Sequence, residues 1–101
     1  MKMYALVPEI DARKSFYNKA LVIQGENKIT LLSYDSKVCV ICGDSFKLNK
    51  GIKKELLFSN TTLRHIKEFL FQELDLQNLT KKDLIANVGE WVKVKNGHIQ
   101  K

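Results

Sequence analysis

The sequence is poor in the residues that build ready-made chemical sites. It has one proline, two cysteines, two histidines and one tryptophan, and its five glycines stand apart at 25, 43, 51, 89 and 97. That spacing excludes the phosphate-cradling loops, which need glycines grouped within a few residues between a strand and a helix. Nucleotide-dependent chemistry and a bound cofactor are therefore not expected. Arginine is scarce as well: of 17 basic residues only Arg13 and Arg64 are arginines, and the rest are lysines. Forked contacts to phosphates and base edges draw mainly on arginine. Charges interrupt every apolar run within about ten residues, well short of the roughly 18 that a membrane span requires. Met1 to Glu9 carry one lysine and a short apolar run broken at Pro8, unlike a secretory leader. The expectation is a cytoplasmic chain without a membrane partner.

An apolar fraction of 45% with 28% charged residues is ordinary for a folded protein. At 101 residues there is room for one core, so a single domain over 1–101 is expected. The net charge of +6 attracts polyanions. It is spread evenly, +3 in residues 1–50 and +3 in 51–101, so no half is a basic tail.

Hydrophobic periodicity divides the chain into a strand-rich first half and a helix-rich second half. Tyr4–Val7 reads as a short strand stopped by Pro8. Ala20–Gln24 and Ile29–Tyr34 read as a hairpin about Gly25-Glu26-Asn27, and Val38–Cys42 and Phe46–Leu48 extend it into a meander. Asn49–Glu55 is polar and reads as a loop. Ser59, Asn60, Thr61 and Thr62 offer N-cap oxygens, after which Leu63, Ile66, Phe69, Leu70 and Leu74 fall on one helical face. Thr80 to Asp83 has the form of a capping box, with Leu84, Ile85 and Val88 behind it and Gly89 as the stop. Trp91–Lys95 partly alternates, and Asn96-Gly97 is a type I′ turn pair, so a last strand or hairpin follows. The fold class expected is α+β: an antiparallel sheet of three to five strands, one main helix at about 60–72 and a short second helix at about 81–88.

Each candidate site has an ordinary reading beside it. Cys39-Val40-Ile41-Cys42-Gly43 has the form of half a zinc knuckle, but no second ligand pair follows, and His65 and His98 stand alone. In a strand the two thiols point to opposite faces, so reduced structural cysteines are expected and no metal is assigned. His65, between Leu63 and Ile66, is expected on the helix surface rather than in a catalytic dyad, with Glu68 the only carboxylate within a turn. Lys47, Lys50, Lys53 and Lys54 concentrate charge in one loop. Arg13-Lys14-Ser15-Phe16-Tyr17 interleaves basic and aromatic side chains, a pattern that can hold phosphate while a ring stacks on a base.

Three runs carry a resemblance: Asp11–Ala20 with Ser15-Phe16-Tyr17-Asn18-Lys19-Ala20, Leu32–Val38 with Ser33-Tyr34 and Ser36, and Phe58–Leu70 with Thr61-Thr62-Leu63-Arg64-His65. Together they resemble short proteins of unknown function from bacteriophages and mobile elements of Gram-positive bacteria. The chain departs from their pattern at Asn18, where glycine is usual, and at Ser36, where threonine is usual. The resemblance implies a phage or mobile-element origin and a bacterial host, and supplies no activity. It directs attention to Ser15, Tyr17, Tyr34, Thr61, Thr62, Arg64 and His65, with Thr61, Thr62 and Arg64 capping the helix and tying it to the strand that carries Tyr34.

The functional expectation is a non-enzymatic binding protein whose target is a host or phage protein. Nucleic acid is the alternative ligand, and a metal- or His-dependent enzyme comes third. The contact surface is assigned to Arg13, Lys14, Tyr17, Tyr34, Lys47, Lys50, Lys53, Lys54, Thr61, Thr62, Arg64 and His65. A homodimer is considered through an uncovered sheet edge at residues 38–42.

Overall fold

The computed structural model describes residues 2–7, 19–34, 36–49, 60–76 and 79–99. Its strands are β1 (Lys2–Ala5), β2 (Ala20–Gln24), β3 (Ile29–Ser33), β4 (Ser36–Cys42), β5 (Ser45–Leu48), β6 (Val92–Lys95) and β7 (His98–Ile99), and its helices are α1 (Asn60–Leu74) and α2 (Lys81–Ala86). The seven strands form one sheet in chain order, each paired antiparallel with the next. This corrects the expected α+β domain of three to five strands with one main helix: the described residues form seven strands against two helices, and the sheet dominates. The excess over three to five comes from the margins: the strand expected at Tyr4–Val7 forms two residues earlier as β1, the last strand or hairpin expected after Trp91 forms as β6 and β7, and all of them join the sheet. β1 is exposed or half-exposed at every position, and β7 has only two residues.

Turn chemistry sets the register of the meander. Gly43 opens the two-residue β4–β5 turn with φ 63, as the first central position of a type II′ turn requires. Asn96 and Gly97 both have positive φ, 55 and 77, so the expected type I′ pair joins β6 to β7. Between β3 and β4 the ladder shifts: Leu31 faces Cys39 but Leu32 faces Lys37, leaving Val38 as the extra residue of a bulge. The bulge explains why Val38 and Cys39 are both buried although they are consecutive. Asn49 holds it, its backbone N–H donating to Val38 O at 3.0 Å and its side chain to Lys37 O at 2.9 Å. β4 is bonded to β3 on one side and β5 on the other, so residues 38–42 are interior and offer no free edge for a dimer.

One face of the sheet packs on α1. Val22, Leu31, Cys39, Ile41, Phe46 and Leu48 point inward from the strands and meet Leu63, Ile66, Phe69 and Leu70, the stripe expected from spacing. α1 begins at Asn60 and stops where Asp75 takes a left-handed φ of 55. α2 starts on the expected capping box, Thr80 Oγ1 accepting from Asp83 N–H at 3.1 Å while the Asp83 carboxylate accepts from Thr80 N–H. It ends at Ala86, because Val88 bridges to Leu48 and Gly89 N–H donates to Leu48 O, drawing the chain onto the sheet. β1 reaches the helix through Tyr4 Oη, which donates to Glu73 at 3.3 Å. No helix among the described residues is long and apolar enough to cross a membrane.

Candidate functional site

The first candidate lies between α1 and the inner face of the sheet. Alternation in β3 sends Leu31 and Ser33 inward, and a three-residue helical step sends Thr62, His65 and Glu68 toward them. Ser33 Oγ sits 2.8 Å from His65 Nδ1 and 3.3 Å from Thr62 Oγ1. Ser33, Thr62 and His65 are all 0% exposed, which corrects the expectation that His65 lies on the helix surface. The reason is complementarity: a polar residue on the margin of the apolar stripe can be buried when the facing strand supplies a hydroxyl to meet it. Glu68 is buried too and accepts from the Gln72 amide at 2.9 Å. A serine hydroxyl against an imidazole nitrogen is the first contact of a nucleophile–base pair. Here the hydroxyl is sealed from any substrate, and what the contact does is hold α1 to β3.

The residues expected to form one surface separate. Thr62 and His65 are internal, Arg64 is exposed, and Tyr34 is 44% exposed with its ring centroid 5.9 Å from that of His65. Helix and strand are tied next to Tyr34 as expected, through Ser33, Thr62 and His65. Thr61 lies in the first turn of α1, and its side chain is outside the described residues. Arg13, Lys14, Tyr17, Lys50, Lys53 and Lys54 also lie outside the described residues.

The second candidate is on the opposite face of the sheet, and Lys47 is the member of it that was expected in the contact surface. Thr30 pairs with Val40 and Val40 with Lys47. One step beyond the Phe46–Val92 pair in the same antiparallel register, Trp91 comes opposite Lys47. Residues in such a row share a face, so Thr30, Val40, Lys47 and Trp91 form a line across four chain segments, about 14 Å long at about 4.8 Å per strand. Trp91 is 52% exposed, and Lys47 Nζ stands 5.1 Å from the centroid of its ring, within cation–π range. This row floors a groove of about 860 Å³ whose walls include Lys28 and Lys37, with Glu26 on the same turn as Lys28. The groove thus carries three cations against one carboxylate. The signal that could have exposed it is register: once β4 and β5 are paired, Lys47 and Trp91 fall on one row.

The cysteines divide between the faces. Cys39 is in the core, where burial pushes its thiol pKa up, and Cys42 is exposed on the outer side. Their thiols therefore do not converge, in agreement with the strand geometry expected of them.

Fold and sites together define a small domain built on a single antiparallel meander, with a sealed polar cluster under its helix and a basic, aromatic groove on its open face. The chain belongs to the family of unknown function DUF8033, whose model matches residues 4–87. Neither the curated proteins nor the solved structures give a match. Trp91 lies just beyond the matched stretch.

Proposed function

We propose that this chain is a non-enzymatic binding module that takes an anionic partner in the groove on the outer face of its sheet. The observation that supports the reading is the groove itself, with Lys28, Lys37 and Lys47 around a half-exposed tryptophan. The non-enzymatic part is supported by the sealed Ser33–His65 contact, since a nucleophile with no exposed surface meets no substrate. A phage or mobile-element origin is supported by the three runs that resemble such proteins. The partner is sought at the groove rather than at Arg64 or Tyr34, because the groove joins charge, an aromatic ring and concavity in one place.

Retention on a polyanionic resin tests whether the charge acts at a site or diffusely. Replacing Lys28, Lys37 and Lys47 by glutamine is expected to move elution to distinctly lower salt than replacing Lys2, Lys67 and Lys82, which removes the same charge away from the outer face of the sheet. Equal shifts for the two variants would show that only net charge matters and would overturn the assignment.

A further inference from the structure

We infer that the groove's ligand is single-stranded nucleic acid, with Trp91 as the surface on which an unpaired base stacks and Lys37 and Lys47 as contacts to the flanking phosphates. The inference rests on the reading of the groove as the binding surface and adds the class of ligand.

Three features of the groove select this ligand. The first is the ring. Trp91 carries a large apolar surface, yet the fold leaves it half exposed at one end of a row that runs on through Ile23 to Met3, and in the stretch that lines the groove its neighbours are short or flexible, Thr30, Val40 and Lys47. A flat partner laid along that stretch meets the exposed part of the indole beside the Lys47 ammonium. Base–aromatic stacking needs that geometry and accepts any base, because each has a π-face. The second is the kind of cation. Lysine is a mobile point charge without arginine's fork, suited to following a phosphate backbone and poorly suited to bidentate reading of a base edge. Binding is therefore tolerant of sequence. The third is the presenting element. The row lies on the face of a sheet, so it offers a platform and no projecting helix to enter a duplex groove; paired bases in a duplex do not present a face to Trp91. An acidic protein segment satisfies the lysines but adds nothing to the ring beyond the Lys47 contact it already has, which is why the nucleic acid is favoured.

The protein has a single tryptophan, so its intrinsic fluorescence reports on the proposed contact directly. Full-length protein is titrated into labelled oligothymidylate and oligouridylate of about 12 nucleotides, a blunt duplex of equal length and polyglutamate, at about 50 and about 200 mM salt, following anisotropy and tryptophan emission together. The expected result is binding of the single strands that weakens steeply with salt and quenches Trp91, with weaker binding and no quenching for duplex and polyglutamate. Trp91→Ala is expected to lose at least about fivefold in affinity, while Trp91→Phe keeps most of it. Thermal melts of both variants establish that they fold, and W91F carries the test if W91A does not. Quenching by polyglutamate as strong as by the single strands would assign the groove to acidic protein and overturn the inference. So would wild-type affinity for single strands in Trp91→Ala. If the lysine variant of the resin test loses retention while the oligonucleotides fail to quench, the groove reading stands and its nucleic-acid assignment falls; if the two lysine variants behave alike, both fall.

Discussion

Ser33 and Ser36 face each other at the end of one hairpin, yet the fold asks opposite things of them. Ser33 is the hydroxyl that both His65 Nδ1 and Thr62 Oγ1 meet in the buried layer under α1, whereas Ser36 is exposed. Ser33→Ala takes the hydroxyl from two buried polar groups at once, so a loss of about 1–3 kcal/mol is expected, against less than about 0.5 kcal/mol for Ser36→Ala. Urea denaturation of the two variants measures the contrast, and equal losses would show that the cluster is not what holds the helix. Cys39 gives a second prediction. Burial holds its thiol pKa above the ordinary value of 9.0, so above about pH 9 the unfolded chain gives up a proton that the folded one keeps. Its contribution is complete below that pH and is lost as pH rises, by about 1.4 kcal/mol per unit. Unfolding free energies at pH 8 and pH 10 should therefore diverge more in the natural protein than in Cys39→Val; parallel behaviour would refute the assignment. Little of this was legible from single residues. His65 beside an apolar stripe reads as a surface histidine until the strand opposite is known to place Ser33 against Nδ1.

At the scale of elements, local chemistry was most legible where a side chain acts within its own turn. The Thr80–Asp83 capping box and the Asn96-Gly97 turn form as their sequences specify, since each needs only residues a few positions apart. The strand segments were largely legible, β1 and the β6–β7 hairpin included; what was not legible was that all seven described strands pair into one sheet, because pairing belongs to neighbours and not to a segment. The bulge at Val38 was equally hidden, being a mismatch between two strands and a property of neither alone. The two turn glycines show how context adds to local rule. A methyl group at Gly43 meets open space, so Gly43→Ala carries only the strain of a positive φ, about 1–2 kcal/mol. At Gly97 the same strain is joined by an approach of 2.9 Å to the Asp75 carbonyl at the end of α1, backbone that cannot swing aside. Gly97→Ala is expected to cost at least about 1 kcal/mol more than Gly43→Ala, read as the difference in denaturation midpoints. A smaller loss at Gly97 would mean that β7 frays freely from the helix end.

Over the whole molecule, the sheet has a firm centre and softer margins, and the groove lies on the centre. β3, β4 and β5 are each bonded on both sides, and their inward residues Leu31, Cys39, Ile41 and Phe46 are buried in the core that α1 completes. Among the described strands β1 is the end of the order, bonded to β2; the exposed Tyr4–Glu73 contact ties it to α1, and just after it Gln72 donates to Val7 O at 2.7 Å. Backbone amides should therefore exchange slowest in β3 and β4 and fastest in β1 among the paired strands, because local opening starts where few buried contacts must be broken. Tyr4→Phe deletes the tie from β1 itself and should speed exchange in β1 while leaving β3 and β4 unchanged. A uniform acceleration would mean instead that β1 opens only with global unfolding. The same gradient bears on binding. A platform whose amides already exchange slowly loses little freedom when a ligand settles on it, so occupancy of the groove should leave protection in β3 to β5 nearly constant while the Lys28 turn and Trp91 change. Large new protection in β3 to β5 on adding an oligonucleotide would show that the groove is formed by its ligand, and that the open row of Thr30, Val40, Lys47 and Trp91 is not the surface that the ligand first meets.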